Sequence, residues 1–327
     1  MIISKTPLRM SFVGGGSDMP GFYREHPGAV LSTAIDKYVY VTANKKFDDG
    51  IRVSYSKTEE VDAVSKVEHR IVRAVLEDLE IDGGIEITTV AEIPSRGSGL
   101  GGSSSFTVGL LNALSAFKGK HMSRAELGAK SCEVEIERCG EPIGKQDQYA
   151  AAFGGLSVIT FQPDDSVQVS PVIMSPETRE GLERNLMVFY TGLTRSASSV
   201  LAEQAANTET QRDKKRTLRK MVDLVYVLRD ELQAGRLESF GEILHENWLL
   251  KKSLASGVTN TLIDDAYEAA MGAGATGGKI LGAGAGGFLL FYAPEDKHAA
   301  VEEALGDLRR IPMKFEPLGS QITLYHP

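Results

Sequence analysis

The chain has 327 residues, 42% hydrophobic and 24% charged, which is the composition of an ordinary globular protein with room for two domains. Its 36 basic and 44 acidic residues leave a net charge of −8, which argues against binding nucleic acid by neutralising phosphates. The sequence shows neither a signal-peptide pattern nor a long apolar run, so we expect a cytoplasmic protein without a membrane span. Cys132 and Cys139 are too few for a disulfide framework and are typical of reduced thiols.

The first half of the chain alternates predicted strands and helices around two glycine-rich segments. β-Branched and aromatic residues indicate the strands, and apolar residues spaced by four indicate the helices. In chain order, we expect a strand at 2–13 running into Gly14, strands within 29–43 and at 51–55, a helix from Val67 to Leu79, a strand at 85–90, and an apolar helix from Phe106 to Phe117.

The second half begins with a helix whose start is marked by a capping box, Ser123 followed by Glu126, so that the helix begins near residue 124 and continues through 132–137. We further expect a strand within 150–160, a linker at 162–177, a strand at 186–192, helices at 197–234, 236–252 and 260–271, two strands joined by a glycine turn at 277–293, a helix at 295–309 and two short final strands. This mixed order favours an α+β fold over a doubly wound sheet, with domains at 1–170 and 171–327.

One glycine-rich segment, between a predicted strand and a predicted helix, predicts a phosphate-binding loop. Its residues are Gly97, Ser98, Gly99, Leu100, Gly101, Gly102, Ser103, Ser104 and Ser105. Glycines let backbone N–H groups approach an anion, and the start of the next helix offers unpaired N–H groups and the positive end of its dipole. The serine hydroxyls can cap the helix, bind a phosphate oxygen or ligate Mg²⁺. The spacing is neither a Walker A loop nor a dinucleotide fingerprint, and a flexible glycine–serine loop is the alternative.

Three further motifs carry charged residues. Arg9 precedes the glycines at 14–16 and Asp18, three glutamates at 133, 135 and 137 precede Asp147, and a third glycine-rich segment spans residues 279–287. Taken singly, the aspartates could cap helices or turns, the glutamates could lie on a solvated helix face, and the glycines could form a tight hairpin. Together, a carboxylate base, a carboxylate metal ligand and a phosphate cradle are the parts that a phosphoryl-transfer enzyme needs.

The order and position of these motifs resemble the GHMP kinase superfamily over essentially the whole chain. The pattern P-x-R-x(4)-G-G-G-S-D at 7–18, GEPIGKQDQYAAAFGG at 140–155, TGLTRSAS at 191–198 and HENWLLKKSLASGVTN at 245–260 are most similar to the sugar-kinase branch that phosphorylates D-glycero-D-manno-heptose 7-phosphate. The resemblance implies two domains, the first like ribosomal protein S5 domain 2 and the second ferredoxin-like, with the active site in the cleft between them.

The resemblance also implies how the cofactors ATP and Mg²⁺ are held. Residues 97–105 would hold the triphosphate, and Ser103 and Glu135 would ligate Mg²⁺. Because Gly102 stands where the family has its first serine, Ser104 and Ser105 remain alternative ligands. Glu137 is the alternative to Glu135 as the carboxylate ligand.

Further roles follow for the acceptor side of the site. Asp147 would take or orient the proton of the attacking hydroxyl, Arg9 would lie near that oxygen, and Asp18 would bind sugar hydroxyls. The other substrate residues implied are Gly15, Gly16, Ser17, Lys145, Arg195 and Gly284, with Lys251 and Lys252 as further basic candidates for a substrate phosphate. Galactokinases carry Glu-His where this chain has Gly15 and Gly16, which speaks against galactose.

The expected activity is therefore an ATP-dependent sugar kinase acting on heptose 7-phosphate at its anomeric hydroxyl, with a small-molecule substrate and neither a nucleic-acid nor a membrane partner. A fucose-type 1-kinase is the alternative within the class. An ATP-dependent decarboxylase and a non-catalytic nucleotide-binding homologue are the alternatives outside it, since a fold does not determine a function. The oligomeric state is open, because the helices between 197 and 252 could form a dimer face or simply cover the sheet.

Overall fold

Two β-sheets and their covering helices make up the chain. The computed structural model describes residues 1–93, 97–193 and 197–326, and all their side chains except those of residues 197–199 and 209. The first half contains β1 (Ile2–Val13), α1 (Pro20–Tyr23), β2 (Gly28–Lys45), β3 (Ile51–Ser54), β4 (Thr58–Val61), α2 (Arg70–Asp78), β5 (Ile85–Ala91), α3 (Gly102–Phe117), α4 (Arg124–Cys132), a π-helical turn (Glu133–Arg138), α5 (Gln146–Phe153), β6 (Leu156–Phe161) and β7 (Val167–Pro171). The second half contains α6 (Pro176–Asn185), β8 (Leu186–Tyr190), α7 (Ala197–Thr210), α8 (Arg212–Gln233), α9 (Phe240–Lys252), α10 (Thr261–Gly272), β9 (Gly277–Ile280), β10 (Phe288–Tyr292), α11 (His298–Leu305), β11 (Arg309–Arg310) and β12 (Gln321–Tyr325).

Strand β2 organises the first sheet because its 18 residues are long enough to serve several partners. It pairs with β1 in antiparallel fashion along nearly its whole length. On its other edge, residues 39–45 pair with β5 and residues 28–33 pair with β6. The sheet order is β12-β1-β2-β5-β3-β4, with β6 and β7 off this path, and the β3–β5 pair is parallel.

The second sheet has four antiparallel strands in the order β11-β8-β10-β9. All five residues of β10 are buried, as expected for a continuous apolar strand in the middle of a sheet. Helix α9 packs on β9, and α8 packs on β1, β2 and α9 through its apolar stripe. Helix α8 therefore covers the first sheet, which is one of the two roles that the sequence leaves open.

Several predicted elements differ from those observed. The predicted linker at 162–177 contains the edge strand β7 and the start of α6, because an edge strand with exposed side chains is as polar as a loop. The predicted helix at 197–234 is two helices, since Gln211 adopts an extended conformation between α7 and α8. Strand β4 is unpredicted, and only the middle of the predicted helix at 295–309 forms an α-helix, α11.

The last strand returns to the first sheet. Strand β12 pairs with β1, with Tyr325 opposite Ile2 and Gln321 opposite Lys5. Residues assigned to the second predicted domain thus complete the sheet of the first, and the boundary between residues 170 and 171 stays a prediction.

The end of β1 is fixed by residues from the second half of the chain. The fully buried Asn247 of α9 accepts a hydrogen bond from the Gly14 amide at 3.1 Å and donates to the Phe12 carbonyl at 3.4 Å. These bonds hold the turn after β1 against α9, and this turn carries several of the predicted site residues. Within the described ranges, none of the helices combines the length and apolarity needed to cross a bilayer.

Candidate active site

A cavity of about 600 Å³ lies where the two halves of the chain meet. Its wall is formed by the end of β1 and the following turn, the glycine-rich loop before α3, residues 141–147, the helices α7 and α9, and the loop at 279–283. These segments are distant in sequence, so the cavity is a product of the tertiary fold.

The glycine-rich loop forms one side of the cavity. Seven of its nine predicted residues line it: Gly97, Ser98, Gly99, Gly101, Gly102, Ser103 and Ser104. Gly101 is left-handed, with φ of 74°, and directly precedes α3. The first N–H groups of α3, which have no partner within the helix, therefore lie where an anion could accept their hydrogen bonds.

The third glycine-rich segment packs against this loop, backbone on backbone. A Cβ atom at Gly99 would lie 2.3 Å from the carbonyl oxygen of Leu281, and one at Gly282 would lie 2.3 Å from the Cα of Gly99. A Cβ at Gly287 would lie 2.3 Å from the Ser98 carbonyl oxygen. The glycines are needed because no side chain fits between the two segments.

Two predicted residues of the loop lie outside the cavity wall. Leu100 is fully buried, and its carbonyl accepts the backbone N–H of Arg9 at 3.0 Å. The Ser105 hydroxyl donates to the Pro7 carbonyl at 2.8 Å, on the side of α3 that faces β1. Ser105, an alternative metal ligand in the sequence analysis, is therefore separated from the site by the periodicity of the helix.

A buried carboxylate faces the serines of this loop. Glu135, in the π-helical turn, is fully buried and accepts bonds on both oxygens. Its Oε1 accepts from Ser103 at 3.2 Å and Thr107 at 3.0 Å, and its Oε2 accepts from Ser104 at 2.7 Å and Gln148 at 2.6 Å. Burial raises the pKa of Glu135 to about 7. A bound cation would favour the charged form of this carboxylate.

The other two glutamates of this stretch point elsewhere. Glu133 pairs with Lys130 and Arg138 at 3.0 Å each, and Glu137 is exposed. The described residues contain no group of three or more His, Cys, Asp and Glu side chains suited to a metal ion.

Arg9 and Asp147, which both line the cavity, form a bidentate ion pair. Arg9 Nε and Nη2 donate to the two carboxylate oxygens at 2.7 Å each, and Nη1 donates to the Gly99 carbonyl at 2.7 Å. The Arg9 side chain is 5% exposed and the Asp147 side chain 25% exposed, so the carboxylate still faces the cavity. This geometry fixes the direction of the carboxylate against the glycine-rich loop.

Asp18 lies beside this pair. Its Oδ1 accepts the Gly16 amide at 2.9 Å, and its Oδ2 accepts the backbone and side-chain amides of Gln146 at 3.2 and 3.1 Å. Burial, with a smaller contribution from the charge of Asp147, raises the pKa of Asp18. Gly15 and Gly16 line the same part of the cavity.

Other predicted substrate residues are not part of the cavity wall. The Ser17 hydroxyl is bonded to the carbonyls of Gly14 and Ala29 at 2.8 and 2.9 Å. Lys145 donates to Asp165 at 3.0 Å, and Gly284 packs against the backbone of Val258. Arg195 lies outside the described residues.

The structure adds residues to which the sequence analysis assigned no role. Ser11, Gln204 and Lys279 line the cavity, as does Lys251, one of the basic candidates. Lys279 begins the third glycine-rich segment and is a charged residue in an otherwise apolar strand, which is a signal in the sequence, whereas nothing in the sequence of α7 distinguishes Gln204.

The cavity combines a loop at a helix N-terminus, a buried carboxylate beside serine hydroxyls and an Arg–Asp pair. These are groups that phosphoryl transfer can use. The GHMP kinases N terminal domain matches residues 65–155, and the GHMP kinases C terminal domain matches residues 228–310. The chain belongs to the GHMP kinases and is an ATP-dependent phosphotransferase.

Individual relatives agree with this family. A D-glycero-alpha-D-manno-heptose 7-phosphate kinase from Campylobacter jejuni is 28% identical over 319 residues, covering 93% of each chain. A bifunctional fucokinase/GDP-fucose pyrophosphorylase from Arabidopsis thaliana is 28% identical over 321 residues, covering 90% of this chain and 30% of the plant protein.

Solved structures confirm the predicted two-domain α+β fold. A D-glycero-D-manno-heptose 1-phosphate kinase from Bacteroides thetaiotaomicron has a TM-score of 0.81 at 26% identity, covering 100% of both chains. A galactokinase from Lactococcus lactis, complexed with galactose, shares the fold with a TM-score of 0.80 at 21% identity, covering 98% of this chain and 94% of that one.

The contact between the two glycine-rich segments predicts the effect of Gly99→Ala. The new methyl group would displace Leu281 and with it the loop, so we expect the Kd for ATP, measured by calorimetry, to rise at least about tenfold. Gly119→Ala is the matched control, because Gly119 is also left-handed but has open space around its Cβ position. The control is expected to lose about 1 kcal/mol of stability while its Kd stays unchanged. An unchanged Kd in Gly99→Ala would contradict the role of this contact.

The raised pKa of Glu135 predicts a pH-dependent stability. The pKa of this carboxyl is 4.5 in the unfolded protein and about 7 in the folded protein. Below pH 4.5 the carboxyl is protonated in both the folded and the unfolded state. Between pH 4.5 and about 7 the folded state binds one proton that the unfolded state has released. Its contribution to stability is therefore fully present at low pH and is lost as the pH rises through about 7. Relative to Glu135→Gln, the metal-free protein should lose on the order of 3 kcal/mol between pH 5 and pH 8, measured by urea unfolding.

Glu137→Gln is the control for this measurement, because Glu137 lies in the same π-helical turn but is exposed. Its pH profile should follow that of the unmodified protein. Parallel profiles for the unmodified protein and Glu135→Gln would show that Glu135 is ionised throughout, contrary to the expectation.

Proposed function

We propose that this kinase transfers the γ-phosphoryl group of ATP to the anomeric hydroxyl of D-glycero-D-manno-heptose 7-phosphate in the cytoplasm. The observation that carries the proposal is the position of the Arg9–Asp147 pair, which touches the glycine-rich loop through Gly99 and lies next to Asp18 through Gln146. The heptose 7-phosphate kinase from Campylobacter jejuni, which is 28% identical in an alignment that covers 93% of each chain, supports the choice of acceptor. The product would feed the synthesis of nucleotide-activated heptose and surface polysaccharide.

The donor side of the site would hold ATP with Mg²⁺. The N–H groups at the start of α3 bind phosphate oxygens, and Ser103 or Ser104 together with Glu135 fits the hard oxygen ligands that Mg²⁺ prefers. Two protein oxygens suffice in such a site, because phosphates and water supply the rest. When bound, Mg²⁺ supplies positive charge that neutralises the phosphates of the nucleotide.

Asp147 orients the acceptor hydroxyl and accepts its proton. Each carboxylate oxygen has two lone pairs, and Arg9 uses one on each oxygen, so one remains on each for the acceptor. Arg9 also places positive charge near the attacking oxygen. Since the transition state of phosphoryl transfer is loose, fixing these groups in place contributes more than strong basicity.

Asp18 and the neighbouring glycines bind the sugar. Asp18 Oδ1 accepts one amide and keeps one lone pair for a sugar hydroxyl, whereas Oδ2 accepts two amides of Gln146. A side chain at Gly16 would collide with Gln204, since its Cβ would lie 2.1 Å from the Gln204 Nε2. The left-handed backbone at Gly16, with φ of 103°, also disfavours a side chain there. Both observations argue against the Glu-His arrangement that galactokinases carry at Gly15 and Gly16, and against galactose as the acceptor.

A fucose-type 1-kinase is the second candidate, because the fucokinase/GDP-fucose pyrophosphorylase from Arabidopsis thaliana is also 28% identical. Fucose carries no phosphate, so the two candidates differ in the need for a second anion-binding site.

An acceptor panel tests the proposal. With ATP and Mg²⁺, we expect ADP release with heptose 7-phosphate at a kcat/KM about 100-fold or more above that with free heptose, L-fucose or galactose. Phosphorus NMR should show the new phosphoryl group on the anomeric oxygen. Turnover of an unphosphorylated sugar in preference would overturn the choice of acceptor, CO₂ release from a mevalonate derivative would indicate a decarboxylase, and ATP binding without turnover would indicate a non-catalytic homologue.

The role of Asp147 predicts a split between catalysis and nucleotide binding. Asp147→Asn removes the proton acceptor, so kcat should fall by about 10²–10⁴ while the Kd for ATP changes little. Asp213→Asn is the control, because that side chain is 90% exposed and should leave kcat unaltered. A variant Asp147→Asn with full kcat would refute the assignment of the base.

A further inference from the structure

We propose that Lys251, Lys279, Ser11 and Gln204 form a second anion-binding site in the same cavity, which holds the phosphate that the acceptor already carries. This inference rests on the proposed function, since it names the residues that recognise a phosphorylated sugar. It concerns the wall built by the second half of the chain, together with the end of β1.

The two lysines are buried without a carboxylate partner. Lys251 of α9 is 5% exposed and Lys279 of β9 is 2% exposed. Lys279 donates to the carbonyls of Ser11 and Phe12 at 2.7 and 2.9 Å, and Lys251 donates to the carbonyl of Gly282. In the part of the chain that the structure describes, neither lysine lies within salt-bridge distance of an acid. Buried lysines are rare unless paired, and a buried cation without an anion costs several kcal/mol.

The cavity carboxylates are already engaged. Asp147 is paired with Arg9, and Asp18 accepts amides of Gly16 and Gln146. Glu135 faces the serines, and Glu141 pairs with Arg70 at 3.5 Å. Asp18 and Asp147 act on Lys251 only at longer range. Burial lowers the pKa of Lys251 to about 8 and holds the pKa of Lys279 well below its usual value, and a bound anion would offset both effects.

Two neutral side chains complete the site. The Ser11 hydroxyl and the Gln204 Nε2 are buried and have no hydrogen-bond partner among the described residues, although both side chains line the cavity. Gln204 is only 2% exposed and approaches Gly16, while Ser11 belongs to the same β1 end that Lys279 contacts. An unpaired buried polar group costs free energy until a ligand satisfies it, and both groups can donate to a phosphate oxygen.

The site is separate from the loop that holds the nucleotide, but the two are neighbours. Lys251 donates to Gly282, and Gly282 packs against Gly99. An acceptor phosphate at the lysines and a triphosphate at α3 would then lie close to each other in the one cavity that the Arg9–Asp147 pair also lines. The nucleotide phosphates are the competing source of the anion, and kinetics distinguish the two sources.

The test uses Lys251→Met and Lys279→Met, which remove the charge and keep the length of the side chain. Lys252→Met is the matched control, because Lys252 is the next residue, pairs with Asp264 at 2.8 Å and does not line the cavity. In both test variants, we expect the KM for heptose 7-phosphate to rise at least about tenfold, with the KM for ATP and the turnover of free heptose unchanged. A rise confined to the KM for ATP would overturn the proposal and assign the lysines to the nucleotide.

Binding of inorganic phosphate gives a readout that does not depend on turnover. Phosphate titrated into enzyme saturated with ADP should bind, and the binding should be lost in Lys251→Met but retained in Lys251→Arg and Lys252→Met. The phosphate titration needs only the Lys251 variants. Its result therefore holds even if Lys279→Met misfolds because Lys279 bonds to the end of β1.

The outcomes separate the two proposals. One outcome is that the unmodified enzyme phosphorylates only an unphosphorylated sugar and binds inorganic phosphate, whereas Lys251→Met does not bind it. The acceptor assignment then fails and the anion site stands. If heptose 7-phosphate is the acceptor and its KM is the same in Lys251→Met and Lys279→Met, the anion site is refuted and the function stands.

Discussion

The site depends on the hydrogen bonds that the guanidinium of Arg9 donates. Arg9 lies on β1, and its three guanidinium nitrogens donate to both oxygens of Asp147, 138 residues away, and to the carbonyl of Gly99, 90 residues away. Its backbone N–H also holds the carbonyl of Leu100. A single planar group thus fixes the distance between Asp147 and the glycine-rich loop. Lysine could not replace it, because one ammonium cannot form the two parallel bonds to a carboxylate.

The two halves of the chain are joined by backbone packing and buried polar bonds as much as by apolar contacts. Three glycines at 99, 282 and 287 let the two glycine-rich segments touch, and Asn247 and Lys279 bond to the carbonyl end of β1. Such contacts tolerate little change in volume or direction, because a Cβ or an unpaired carbonyl at this depth has no room to adjust. The cavity wall is therefore held to a defined shape from both sides.

The sequence predicted those features of the fold that depend on residues close together in the chain. Both hydrogen bonds of the capping box are present: the Ser123 side chain accepts the Glu126 backbone N–H, and the Glu126 side chain accepts the Ser123 backbone N–H. The glycine-rich loop lies between β5 and α3, as expected. What the sequence did not show depends on contacts between distant residues. Lys279 meets its partners 267 and 268 residues away, and Gln204 is distinguished only by its approach to Gly16. Strand β7 is polar because it is an edge strand, and Ser105 faces β1 because successive residues of a helix point in different directions.

The cavity contains a buried carboxylate, Glu135, and a buried ammonium group, Lys251, and burial disfavours the charged form of each. Burial raises the pKa of Glu135 to about 7, so a cation bound beside it would favour its charged form. Burial lowers the pKa of Lys251 to about 8, so an anion bound beside it would favour its charged form. In the proposed function, a metal-bound nucleotide would stabilise the charge of Glu135, and a phosphorylated acceptor would stabilise the charge of Lys251. The Arg9–Asp147 pair would then hold the attacking oxygen between the two ligands.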